Sequence, residues 1–247
     1  MSKTYFSADA HFQHANIILY AKRKRWIKKG DINNKGKWVD SHIADQRVKK
    51  MDEALIKAFN HKAKEDDIIY HVGDFIFKGG KESNGKKSAQ IYEDKIKAKV
   101  IHILGNHDRN NSVKGGLENG MIKIANKLFY LIHRPPMNIK DIPSNVDAVL
   151  CGHVHDNWKY KFLKNIPVIN VGVDVWNYNL VSIQQIAVFY DKIMKEYKCS
   201  LRKDDDTYDS AEDYYEDGPH YGEYNDLNNW KADYRSDYDG YDIEKDD

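Results

Sequence analysis

Aspartate, asparagine and histidine residues recur at the ends of short apolar runs in this chain. Thr4 to Ala8 leads into Asp9-Ala10-His11, Ile68 to Val72 into Gly73-Asp74, and Val100 to Leu104 into Gly105-Asn106-His107-Asp108. Leu128 to Ile132 then leads into His133, and Ala148 to Cys151 into Gly152-His153-Val154-His155. Runs of this length read as strands, and strands sharing a sheet edge would gather Asp9, His11, Asp74, Asn106, His133, His153 and His155. Oxygen and imidazole donors of this kind suit a divalent ion of the first transition row. One such ion lowers the pKa of bound water to about 7, and two ions about 3.5–4 Å apart hold a hydroxide between them, facing a phosphoryl centre. The ions would also neutralise the phosphate oxygens that repel a nucleophile, and Asp74 could bridge them. Any one of these histidines, taken alone, is more often a surface or satisfied core residue. The set together points to metal-assisted phosphoryl chemistry.

The elements that must position these groups alternate between strands and helices, which predicts an α/β domain built on sheets. Helices are expected over Ala15 to about Lys22, from about Ile43 to His61, and over Ser88 to Ile96. In the second of these, Val48, Met51, Leu55, Ile56 and Phe59 fall at helical spacing. Ser182-Ile183-Gln184-Gln185 reads as a capping box opening a last helix. The two cysteines, Cys151 and Cys199, are too few for a disulfide framework or a thiolate zinc cage. No apolar run approaches the roughly 18 residues of a membrane span, and a carboxylate at Asp9 precedes any signal-like apolar stretch. The expected location is cytoplasmic.

Charge divides the 247 residues unevenly. From Asp204 to Asp247 there are 17 acidic and 3 basic residues, a balance of −14, whereas the remaining 21 acidic and 36 basic residues give +15. The acidic stretch holds 8 of the 17 tyrosines and almost no aliphatic residues, so it is expected to be disordered, with the folded domain over about residues 1–200. It reads either as a solvated tail or as an anionic segment that contacts the basic body or an unknown partner. A basic insertion over about residues 22–50 begins with Lys22, Arg23, Lys24, Arg25, Lys28, Lys29, Lys35 and Lys37 around Trp26 and Trp38. It is expected at the surface, as a solvated loop or as a phosphate-tracking patch with stacking aromatics.

In this order, Asp9-x-His11, Gly73-Asp74, Gly105-Asn106-His107-Asp108, His133 and Gly152-His153-x-His155 resemble the motif series of the calcineurin-like metallophosphoesterases. The stretches Asp9 to Ile18, Met51 to Ile56 and Asn170 to Tyr178 resemble a compact branch of that superfamily found in bacteria and bacteriophages. The resemblance implies a four-layer αββα sandwich of two mixed β-sheets flanked by helices. It implies Asp9, His11, Asp74 and His155 on one metal, and Asp74, Asn106, His133 and His153 on the second. His107 would then serve as general acid at the leaving oxygen, with Asp108 fixing its tautomer. His14 and Arg109 are candidates for substrate contacts, while Asn170 and Asp174 shape the pocket. The ions could be Mn²⁺, Fe, Zn²⁺, Ni²⁺ or Co²⁺. The expected reaction is hydrolysis of a phosphodiester in a nucleotide or nucleic acid. A phosphomonoesterase, a nucleotide pyrophosphatase, or a nucleic-acid-binding module with a vestigial metal site are the alternatives.

Overall fold

The computed structural model describes residues 2–77, 88–108 and 113–205. Arg109 and the acidic stretch from residue 206 onward lie outside the described residues. The chain falls into two units, Met1–Met194 and Lys195–Asp247. The first holds two mixed sheets. In one, β1 (Thr4–Ser7) pairs in parallel with β2 (Ile68–Val72), and β2 in parallel with β3 (Lys99–Ile103). The other is built from β4 (Gly120–Ile124), β5 (Lys127–Leu131), β6 (Ala148–Cys151), β7 (Tyr160–Leu163) and β8 (Ile166–Asn170), in the order β4-β5-β6-β8-β7. Here β5, β6 and β8 run parallel, with β4 and β7 as antiparallel edges. A short β9 (Val181–Ser182), antiparallel to β1, completes the first sheet.

Alternation along the strands sends successive side chains to opposite faces. Phe6 of β1 and Ala148 and Leu150 of β6 enter a core shared by the two sheets, with Val72, Ile103, Phe129, Leu131 and Ile169. Tyr5 and Ile69 point the other way, onto α2 (Ser41–Lys62), whose Val48, Met51, Leu55 and Phe59 form one buried stripe. Each such buried side chain contributes about 1.5–3 kcal/mol of transfer free energy. The outer face of the second sheet, with Val149, Cys151 and Val168, is covered by Ile142, Val146 and Trp158 from loops.

The last helix, α4 (Ile183–Asp205), opens on the expected capping box: Ser182 Oγ accepts Gln185 N–H at 3.1 Å, and Gln185 Oε1 accepts Ser182 N–H at 3.0 Å. Ile186, Tyr190 and Ile193 of α4 join the core between the sheets. The first helix, α1, is only Ile17–Tyr20, because Lys22 turns into the left-handed region at φ 49°. The third, α3, ends at Glu93 rather than Ile96. The second helix, α2, begins at Ser41, close to the expected Ile43, and Asp40 caps it by accepting His42 N–H at 2.7 Å. The basic insertion is not wholly at the surface: Arg23 and Trp26 are buried. Among the described residues no helix is long and apolar enough to cross a membrane.

Candidate metal centre

The donors all follow the carboxyl ends of parallel strands, where α/β sheets ordinarily bind ligands. Asp9 and His11 follow β1, Asp74 follows β2, Asn106 and His107 follow β3, His133 follows β5, and His153 and His155 follow β6. Backbone bonds stitch these loops together: Asp9 N–H donates to Gly73 O at 2.9 Å, His11 N–H to Asp74 O at 3.0 Å, and Val173 N–H to Ala8 O at 3.0 Å. Asp9, His11, Asp74, His153 and His155 all have positive φ, between 45° and 75°. Non-glycine residues adopt that conformation at a cost, which tends to be concentrated at functional sites. The glycines of the motifs have steric reasons. A Cβ on Gly73 would overlap the His133 ring, and one on Gly105 would overlap the Asp74 carboxylate.

Potential ligand atoms fall into three overlapping groups, each within 4.8 Å: Asp9, His11 and His155; His11, Asp74 and His107; and Asp74, His133 and His153. Asp74 Oδ2 lies 3.5 Å from His11 Nε2 and 3.2 Å from His133 Nε2, so one oxygen faces both sides of the site. His11 Nε2, His133 Nε2 and Asn106 Oδ1 are buried and lack a hydrogen-bond partner. Unpaired buried polar atoms are costly, and three around one carboxylate fit a divalent ion that the chain alone does not supply.

The other ring nitrogens are committed. His133 Nδ1 lies 3.0 Å from Val72 O and His155 Nδ1 lies 3.0 Å from Asp174 Oδ2, which directs each Nε2 inward. Asp9 receives His153 N–H on both oxygens at 2.9 Å. Electrostatics follow from packing charges without water. Burial raises the Asp9 carboxyl to about 6 despite the neighbouring His155 and His133. Burial also opposes ionisation of Asp74, but His133, His11 and His107 outweigh it and hold the carboxyl well below the usual range. For His133, burial is outweighed by Asp74 and Asp9, which push it up to about 9. Burial and the neighbouring His133 push His153 down to about 2.

His107 differs from the buried candidate donors, with its side chain 24% exposed. Its N–H donates to Asp74 Oδ1 at 3.0 Å, and its Nε2 lies 3.9 Å from Asp74 Oδ2. The fully buried carboxylate of Asp108 accepts the backbone N–H groups of Asp74, Gly105 and Phe75 at 2.7–2.9 Å, and of Ile76 at 3.4 Å. It braces the loop that carries Asp74. His14 is buried, with its Nδ1 3.4 Å from His11 Nδ1 and its ring stacked on Phe77 at 3.6 Å.

Asn170 organises the loop after β8: its Nδ2 donates to His155 O and Trp158 O, each at 2.9 Å, and its Oδ1 accepts Gly172 N–H at 2.7 Å. Arg23, read from sequence as part of the surface basic run, instead donates to Asp174 Oδ1 at 2.7 Å and to Asp9 O at 2.7 Å. Nothing in its lysine-rich neighbourhood distinguishes it.

Residues 38–180 match the Calcineurin-like phosphoesterase superfamily domain. The chain is 32% identical over 196 residues to an uncharacterized protein of Methanocaldococcus jannaschii, covering 78% of this chain and 93% of that one. It also resembles the crystal structure of a protein of unknown function from Aquifex aeolicus, with TM-score 0.51 and 22% identity over 76% of this chain and 100% of that one. A novel archaeal phosphodiesterase aligns with TM-score 0.34 and 18% identity, covering 69% of this chain and 83% of that one.

Proposed function

The chain belongs to the calcineurin-like phosphoesterase superfamily and is a metal-dependent phosphoesterase, and on that footing we propose that it hydrolyses phosphodiesters with two divalent ions. The observation that carries the two-ion reading is the single Asp74 oxygen facing His11 Nε2 at 3.5 Å and His133 Nε2 at 3.2 Å. Asp9, His11, Asp74 and His155 would hold one ion, and Asp74, Asn106, His133 and His153 the other. When bound, such a pair supplies a hydroxide nucleophile near neutral pH and offsets the charge of the phosphate oxygens.

The chain's own groups do the rest. His107, the partly open member of the cluster, donates a proton from its ring to the departing oxygen, and the backbone bond to Asp74 Oδ1 sets where its main chain lies. The buried ligand loops keep bulk water from the reacting centre. Seven cations of the 22–37 segment, Lys22, Lys24, Arg25, Lys28, Lys29, Lys35 and Lys37, are exposed, while its one acid, Asp31, is buried against Arg47 at 2.6 Å. That surface favours an extended polyanion, which is why a nucleotide or nucleic-acid diester is preferred over a small monoester.

Hydrolysis of bis-p-nitrophenyl phosphate beside p-nitrophenyl phosphate, with Mn²⁺ or chelator and with His107→Ala as control, tests this reading. Chelator-sensitive cleavage favouring the diester and lost in the variant is expected. Preference for the monoester would overturn the diester assignment.

A further inference from the structure

We propose that Arg23 and Asp174 form a buried clamp that positions His155 and Asp9 for an ion, which makes a residue of the basic insertion part of the metal centre. The inference rests on the two-ion reading above and names positioning residues for it.

Arg23 is 0% exposed. Its Nε and Nη2 donate to the two Asp174 oxygens at 2.7 and 3.0 Å, its Nη2 also to Asp9 O at 2.7 Å, and its Nη1 to Ala10 O at 3.3 Å and towards Met51 Sδ at 3.2 Å. A planar fork is needed to engage both carboxylate oxygens and two carbonyls at once, and a lysine cannot reproduce it. Being fully enclosed, Arg23 is not available to track a substrate phosphate, unlike its exposed neighbours Lys22, Lys24 and Arg25.

Asp174 Oδ2 is in turn 3.0 Å from His155 Nδ1. A proton held on that nitrogen leaves the Nε2 lone pair for the ion, and the carboxylate fixes the plane of the ring. Arg23 engages both oxygens of that carboxylate, so the acceptor of the His155 ring is itself held in place. The same guanidinium holds the carbonyl of Asp9, a ligand candidate at φ 56° in the neighbouring loop. One arginine thus braces two members of the Asp9, His11, His155 group, Asp9 directly and His155 through Asp174.

The test uses full-length protein stripped with chelator and titrated with Co²⁺, followed by calorimetry and visible absorption. Wild type is expected to bind two ions. Asp174→Asn and Arg23→Lys are expected to weaken one of them by 10- to 100-fold and leave the other unchanged. The double variant Arg23→Met/Asp174→Leu removes both charges together, so it remains informative if a single variant fails to fold. It is expected to keep the wild-type circular dichroism while losing one ion's affinity. Two ions bound at wild-type affinity in that variant would overturn the clamp and leave a merely structural ion pair. Equal weakening of both ions in Asp174→Asn would overturn it as well. Failure of the wild type to bind Co²⁺ would instead overturn the two-ion reading on which the clamp rests.

Discussion

Asp74 and Asp108 tie their two loops together: Asp108 Oδ2 accepts the N–H of Asp74 at 2.7 Å, while Asp74 Oδ1 accepts the N–H of His107, next to Asp108, at 3.0 Å. With Gly105, Phe75 and Ile76 also donating to Asp108, four backbone groups depend on one carboxylate. Asp108→Ala should therefore destabilise the metal-free protein by on the order of 3–5 kcal/mol, read from urea denaturation. A change below about 1 kcal/mol would show that the loop finds other partners.

Asp74 faces both His11 and His133. Asp74→Asn retains the side-chain shape but removes the charge, and should lower turnover by at least about 100-fold together with the number of ions retained after gel filtration. Full metal content with full turnover would remove Asp74 from its central place.

His107→Ala should lower kcat by about 10²–10⁴-fold while two ions remain bound, because the residue is read as a proton donor and not as a ligand. A variant that also loses an ion would identify His107 as a ligand, an arrangement its grouping with His11 and Asp74 permits.

Asp52, in none of the three donor groups, accepts Tyr92 O–H at 2.6 Å and Gln13 N–H at 3.1 Å. Burial pushes its carboxyl up from 3.8 to about 7 in the folded protein. The folded state thus binds this proton more tightly than the unfolded chain. The resulting stabilisation is fully present below pH about 4, declines as pH rises, and is lost above about 7, with an upper limit of about 4 kcal/mol. Asp52→Asn should flatten that slope and raise Tm at pH 8. An unchanged pH profile of Tm would show that Asp52 ionises normally.

The exposed cations between Lys22 and Lys37 should matter more for long anions than for short ones. Lys28→Glu with Lys29→Glu should raise KM for an oligonucleotide several-fold at low salt and leave bis-p-nitrophenyl phosphate unchanged, and the difference should shrink with added salt. Equal effects on both substrates would count against a polyanion track.

The donor-bearing loops were legible because each joins a recognisable strand to a donor, and the Ser182–Gln185 box because its two bonds are local. Strands β4, β7, β8 and β9 were not legible. β4 and β7 are edges with half-exposed faces, β8 carries Pro167, and β9 is two residues long. Asp108 shows the limit at the site itself. Its four backbone donors come from two loops, three of them more than thirty residues away, so its neighbours in sequence do not reveal that network. Arg23 was equally hidden, since its partner Asp174 is 151 residues distant.

Each outer group of donors mixes the two sheets: Asp9 and His11 from the first with His155 from the second, and Asp74 from the first with His133 and His153 from the second. Neither half of the chain, cut between β3 and β4, would carry a complete set. An ion held by either group would tie the two layers together at their edge, in addition to the apolar core between them. Two fragments divided at that point should consequently reassemble in proportion to the metal supplied.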